Sequence, residues 1–146
     1  MILLRKENGL NEHDFLSQYI SVCERIRFNK ESMLRAEHRA AELGGKAEKW
    51  ASDYQDRLYS ETEDLIRLRY VIENTVERCR CTETEREVLF KRYIQGKKWT
   101  QISAEMLYSL QHLHRLNVSA LKKIKVPSEW QSDGTYDRKT SFFMYN

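Results

Sequence analysis

The sequence predicts an all-α chain: a long, coiled-coil-like N-terminal helical hairpin, then a group of short helices, then an aromatic C-terminal tail. Three observations carry this fold class. Apolar residues in the first half recur in steps of three and four, the repeat of helices that pack along a seam. Gly and Pro are scarce, at 5 and 1 of 146 residues, whereas an all-β sandwich or barrel demands many turn residues. Hydrophobic residues make up 40% and charged residues 32%, a globular composition on the charged, helical side of average. The length suits one modest core.

The first helix of the hairpin starts at Asn11, an N-cap residue, with Asp14 in the first turn where the helix dipole favours an acid. Its seam runs through Phe15, Tyr19, Val22, Ile26, Met33, Ala36, Ala40 and Leu43, with a gap at Asn29. Asn29 is either a buried polar residue that fixes register or the cap of a new helix after a break at Phe28-Asn29-Lys30. The poor fit of Asn to helix interiors favours the break. Gly44-Gly45 supplies the chain reversal. The second helix goes from about Ala47 to Arg80, with a seam of Trp50, Tyr54, Leu58, Leu65, Leu68, Ile72, Val76 and Cys79, widened by Ile66 and Val71. Two helices of this length span roughly 45 Å each. Alone they bury both stripes less well than a four-helix arrangement does. A homodimer or higher homo-oligomer is therefore expected, the alternative being that the stripes pack on the rest of the chain.

Thr82-Glu83-Thr84-Glu85 has the pattern of a capping box and opens a helix that continues through Val88, Leu89 and Ile94 to Gln95-Gly96-Lys97-Lys98. Trp99–Leu107 is a short amphipathic helix, capped by Thr100 or a neighbour, with Trp99 in the core between helices. Tyr108-Ser109 makes the turn, and Ser109 caps a third helix from Leu110 to Ile124 with Leu113, Leu116, Ala120, Leu121 and Ile124 inward. Two short helices joined by a tight turn, the second polar outside, describe a helix-turn-helix. Domain limits follow: 1–81 for the hairpin, 82–125 for the helix-turn-helix, and 126–146 for the tail. The tail carries Trp130, Tyr136, Phe142, Phe143 and Tyr145. That is too aromatic for a plain disordered segment, and it is expected to fold back, dock on a second subunit or bind another protein.

Charge is unevenly spread. Residues 1–81 hold 14 basic and 15 acidic residues, 82–125 hold 9 and 4, and 126–146 hold 2 and 3. A net +5 over 44 residues is a usual footprint of a nucleic-acid surface, although a solvated basic helix gives the same count. No apolar run is long enough for a membrane span, and Met1-Ile2-Leu3-Leu4-Arg5-Lys6 has the wrong order for a secretory signal, so a soluble intracellular protein is expected. Cys79 and Cys81, two apart, and Cys23 have no partner pair to complete a zinc site, and free thiols are expected. No metal or cofactor is implied. No nucleophile–base–orienter set, phosphate-cradling Gly loop or converging carboxylate pair is visible, so an enzyme is not expected.

Residues Glu85-Arg86-Glu87-Val88-Leu89, Arg92-Tyr93, Gly96, Ile102 to Leu107, Ser109 and Ala120-Leu121-Lys122-Lys123-Ile124 resemble region 4 of bacterial sigma-70-type factors. More closely, "RYIQGKKWTQIS", "YS" and "RLNVSALKKI" behind a helical hairpin resemble phage late-gene transcription regulators of the ArpU/RinA-like group, over most of residues 12–124. The resemblance implies a DNA-binding transcriptional regulator encoded by a phage or prophage and working in the cytoplasm of a bacterial host. In the sigma pattern the base readers stand at the first, second, fifth and sixth positions of the helix after the Ser cap, here Leu110, Gln111, His114 and Arg115. Gln111 suits adenine and Arg115 guanine; Leu110 departs from the usual polar residue and suits a thymine methyl, or nothing. Lys97, Lys98, Ser109, His112, Asn117, Lys122 and Lys123 are candidates for the DNA backbone, which positions without specifying. Two other readings stay open: a small-terminase-like DNA-packaging protein, and an interaction protein that docks on RNA polymerase or another host protein.

Overall fold

A computed structural model describes residues 11–130, and every regular element among them is helical. The order is α1 (Glu12–Ser17), α2 (Tyr19–Leu43), α3 (Gly45–Arg78), α4 (Glu83–Leu89), a π-helical turn (Phe90–Ile94), α5 (Trp99–Met106), α6 (Leu110–Lys122) and a 3₁₀ turn (Ser128–Trp130). The described residues form two compact units, one of residues 21–70 and one that joins residues 11–20 to residues 71–130. Residues 71–81 group with the C-terminal helices by their contacts.

In the unit of residues 21–70, α2 and α3 pair along the seam the spacing predicts. Val22, Ile26 and Ala36 of α2 and Ala51, Leu58, Leu65 and Leu68 of α3 are buried. Toward the reversal the seam thins, and Leu43 and Trp50 are exposed, Trp50 stacking on Tyr54 with ring centroids 5.6 Å apart. Asn29 does not break α2, which is continuous through it. Its side chain is fully buried and donates to Thr62 Oγ1 (3.2 Å) and Glu61 Oε1 (3.0 Å), while Arg25 Nε donates to the same Glu61 oxygen (2.8 Å). The gap at Asn29 in one seam thus faces the gap at Thr62 in the other. This polar layer satisfies the Asn29 amide nitrogen, while its buried Oδ1 has no hydrogen-bond partner among the described residues. Gly44, at φ +73°, ends α2 with its N–H on Ala40 O at 2.9 Å.

In the other unit, Asn11 caps α1 by accepting the Asp14 N–H at 2.7 Å. The chain breaks at Gln18, between α1 and α2, rather than at Asn29. Helix α1, with Phe15 and Leu16 fully buried, packs on α6 and on the π turn. Thr82 and Glu85 form the full capping box, Glu85 N–H to Thr82 Oγ1 at 3.1 Å and Thr82 N–H to Glu85 Oε1 at 2.8 Å. Cys79 and Cys81 are paired in a disulfide, where free thiols were expected. The non-helical joint after Arg78 brings their Cα atoms to 5.3 Å, within bridging range. Gly96 takes φ +69°, and a Cβ there would stand 3.1 Å from Ile20 Cδ1, so both backbone and space call for Gly. Of the tail, residues 126–130 are described, with Val126 and Trp130 buried. Tyr136, Phe142, Phe143 and Tyr145 lie outside the described residues, as does the start of the chain.

Candidate nucleic-acid interface

Helices α4, α5 and α6 share a small core. Val88, Ile102 and Leu113 are fully buried at its centre, with Trp99, Met106, Tyr108 and Leu116 packed against them. Trp99 thus sits in the core, and the Arg92 guanidinium lies over its ring at 4.9 Å. Helix α5 begins after Lys98, which offers no side-chain cap, so Thr100 is inside the first turn and not the cap. Between α5 and α6 the left-handed position falls on Leu107 (φ +60°), not on Tyr108, which turns into the core. Ser103 Oγ donates to the Tyr108 carbonyl and closes the turn.

Ser109 caps α6, its Oγ accepting the His112 N–H at 3.0 Å, which leaves the hydroxyl proton free to donate outward. From there the burial of α6 decides which proposed contacts face solvent. Leu110, Gln111, His114 and Arg115 are all exposed on one face, and Arg115 makes no ion pair among the described residues. His112 is half-buried, edge-on to the Tyr108 ring with centroids 4.7 Å apart.

Asn117 is a correction. It is 8% exposed, and Tyr93 Oη donates to its Oδ1 at 3.0 Å, because the buried phenol of Tyr93 requires an acceptor there. Its amide oxygen thus serves the core, and the side chain does not stand on the exposed face with Gln111, His114 and Arg115. Burial, opposed by the Asn117 hydrogen bond, raises the Tyr93 phenol above its ordinary pKa.

Two of the four lysines are also engaged inside the unit. Lys123 Nζ lies 2.7 Å from Oε1 of Glu85, whose side chain is buried and whose Oε2 accepts from Ser119 Oγ. The bonds from Lys123, Ser119 and the Thr82 N–H outweigh burial and hold the Glu85 carboxyl down at about 2. Lys97 Nζ reaches Glu105 Oε1 at 2.8 Å, and Lys91 reaches the same oxygen at 2.7 Å. Hydrogen bonds from Lys91 and then Lys97 bring Glu105 down to about 2 as well. A buried capping-box carboxylate needs a counter-charge, and Lys123 supplies it. Lys98 and Lys122 remain exposed and without ion pairs among the described residues.

Sequence spacing alone misses Val118. It is 38% exposed on the same face as Gln111 and Arg115 and takes the outward position that Asn117 gives up. An open groove of about 390 Å³ along α4 and the π turn, lined by Glu83, Arg86, Glu87, Phe90, Lys91 and Gln95, holds no nucleophile–base pair. Among the described residues, no three or more His, Cys, Asp or Glu side chains gather to hold a metal ion. None of the described helices is long and apolar enough to cross a membrane. Compared with protein-family models, with curated proteins and with solved structures, the chain matches none.

Proposed function

We propose that this chain is a sequence-specific DNA-binding transcriptional regulator, encoded by a phage or prophage, that reads the major groove with α6. The observation that carries the proposal is the exposed row Gln111, His114 and Arg115 on a Ser-capped helix whose opposite face is locked to α4 and α5. Gln111 addresses adenine and Arg115 guanine by paired hydrogen bonds, and Lys98, Ser109 and Lys122 hold phosphates. The α5–turn–α6 pair then acts as a helix-turn-helix of the sigma region 4 kind, in line with the resemblance of residues 84–124. The protein works as a dimer or higher oligomer. Tyr59, Ile66 and Tyr70, all exposed, step by seven and four along α3 and offer a second apolar stripe for self-association.

The test is selection of bound duplexes from a random pool at physiological salt, where non-specific affinity is typically only about 10⁻⁴–10⁻⁶ M. An enriched motif is expected. Arg115→Ala should weaken it by about 1–3 kcal/mol and relax preference at one position, and Lys122→Ala should weaken all sequences alike. If no motif is enriched and binding vanishes as salt rises, the proposal fails. One observation favours a second reading, docking on RNA polymerase or another host protein: Leu107 is 87% exposed and Leu110 51% exposed, side by side at the turn.

A further inference from the structure

At about 100° per residue, Leu110, His114, Val118, Gln111, Lys122 and Arg115 fall in that order within an arc of about 140° on α6. Every one of them is exposed, and Val118 stands near the middle of the arc. Asn117 is turned inward to Tyr93, so the outward face of this turn belongs to Val118. A β-branched apolar side chain there supports the helix less than a straight-chain polar one would, and it packs on nothing in α4 or α5 that buries it. Its neighbours along the face, one turn back, are His114 and Arg115. Leu110 lies eight residues earlier, about 12 Å along the helix axis at 1.5 Å per residue. That distance matches roughly three to four base-pair steps of 3.4 Å each.

We infer that Val118 is a specificity-determining residue that takes the 5-methyl group of a thymine lying next to the base addressed by Arg115, on the side away from the base addressed by Gln111. Leu110 takes a second methyl group three to four base pairs away. The inference rests on the DNA-reading function proposed above and deepens it. In the major groove the thymine methyl is the one apolar feature among donors and acceptors, and a small apolar side chain is its natural partner. The face then reads a mixed code, amide and guanidinium to purine edges and aliphatic groups to methyls. This accounts for apolar residues exposed within a polar row.

The experiment uses the full chain and the duplex motif obtained by selection. Each thymine is replaced in turn by deoxyuridine, which removes the methyl group and leaves the hydrogen-bonding edge intact. Loss of the methyl at one thymine should weaken binding of the wild-type protein about three- to tenfold. Val118→Ala should bind the thymine and uracil duplexes alike at that position and keep its purine preferences. Alanine is the better helix former, so circular dichroism should show the fold intact. Val118→Ile should keep the methyl sensitivity. A motif in which no thymine responds to loss of its methyl overturns the inference while leaving DNA reading in place. Sensitivity that survives in Val118→Ala overturns it equally. If no motif is selected at all, DNA reading itself fails and the inference falls with it, and the exposed face of α6 is then a surface for a protein partner.

Discussion

Lys123→Met separates a structural role from a DNA-contacting one for a lysine that the sequence assigns to phosphate. The Glu85 carboxylate is 4% exposed, closes the capping box of α4, and is held down from 4.5 to about 2, with the Lys123 bond as the largest cause. At about 1.36 kcal/mol per pKa unit that displacement sets a ceiling of about 3 kcal/mol for the whole set of bonds. Lys123 is one of three partners and its side chain is 39% exposed, so solvent screens its share. Its removal is expected to lower stability at pH 7 by about 1–2 kcal/mol, a drop of roughly 3–8 °C in Tm for a chain of this size. The pH dependence has a definite sign. A carboxylate whose folded pKa lies below its unfolded value contributes fully above the unfolded pKa, and that contribution disappears as pH falls through 4.5 toward 2. Thermal melts of the wild type, Lys123→Met and Glu85→Gln across this range are the assay. The difference between wild type and Glu85→Gln should shrink on the acid side, and Lys123→Met should show a smaller difference from Glu85→Gln at every pH. If Lys123→Met melts like the wild type at pH 7 and instead lowers DNA affinity as Lys122→Ala does, Lys123 is a phosphate contact and the structural assignment is refuted.

Two further outcomes are expected. Leu107→Asn should raise stability by a few tenths to about 1 kcal/mol by relieving the positive φ of an almost fully exposed side chain, measured by urea unfolding; a loss would mean that the leucine packs in solution. Tyr93→Phe should cost about 1–3 kcal/mol by leaving the Asn117 carbonyl without a donor, and a double-mutant cycle with Asn117→Ala should show coupling, whereas additive losses would refute the bond.

What was legible in the sequence was what depends on near neighbours. The Asn11 and Ser109 caps each rest on one bond and the Thr82–Glu85 box on two, all between residues three apart, so local order suffices to read them. The bounds of α5 and α6 were likewise foreseen to within two residues. What was missed depends on a partner elsewhere in the chain. Asn29 reads as a break until Thr62, 33 residues on, is placed opposite it. Asn117 reads as outward until Tyr93 claims it, 24 residues away. Lys123 reads as free until Glu85, 38 residues back, is seen to need it. Leu107 was missed for a different reason: a leucine carries no local preference for the left-handed region, and Gly or Asn would have marked it.

These pairings also change what the charge of residues 82–125 means. The count of +5 already subtracts Glu85 and Glu105; Lys91 and Lys97 converge on Glu105 and Lys123 on Glu85, so three of the nine cations are engaged inside the unit. Lys98, Arg115, Lys122 and Lys125 are the exposed cations without an ion pair among the described residues there. If all four met phosphates, the slope of log K on log salt would be only about −3.6 per subunit, and affinity would fall only about 10²-fold between 50 and 200 mM salt. So small an electrostatic contribution gives one subunit little grip on DNA. Under the proposed function, specific binding must then come from base contacts along α6 and from a second subunit on a neighbouring half-site. That links the reading helix to the apolar stripe of α3: a variant that disrupts self-association should lose operator affinity with α6 untouched.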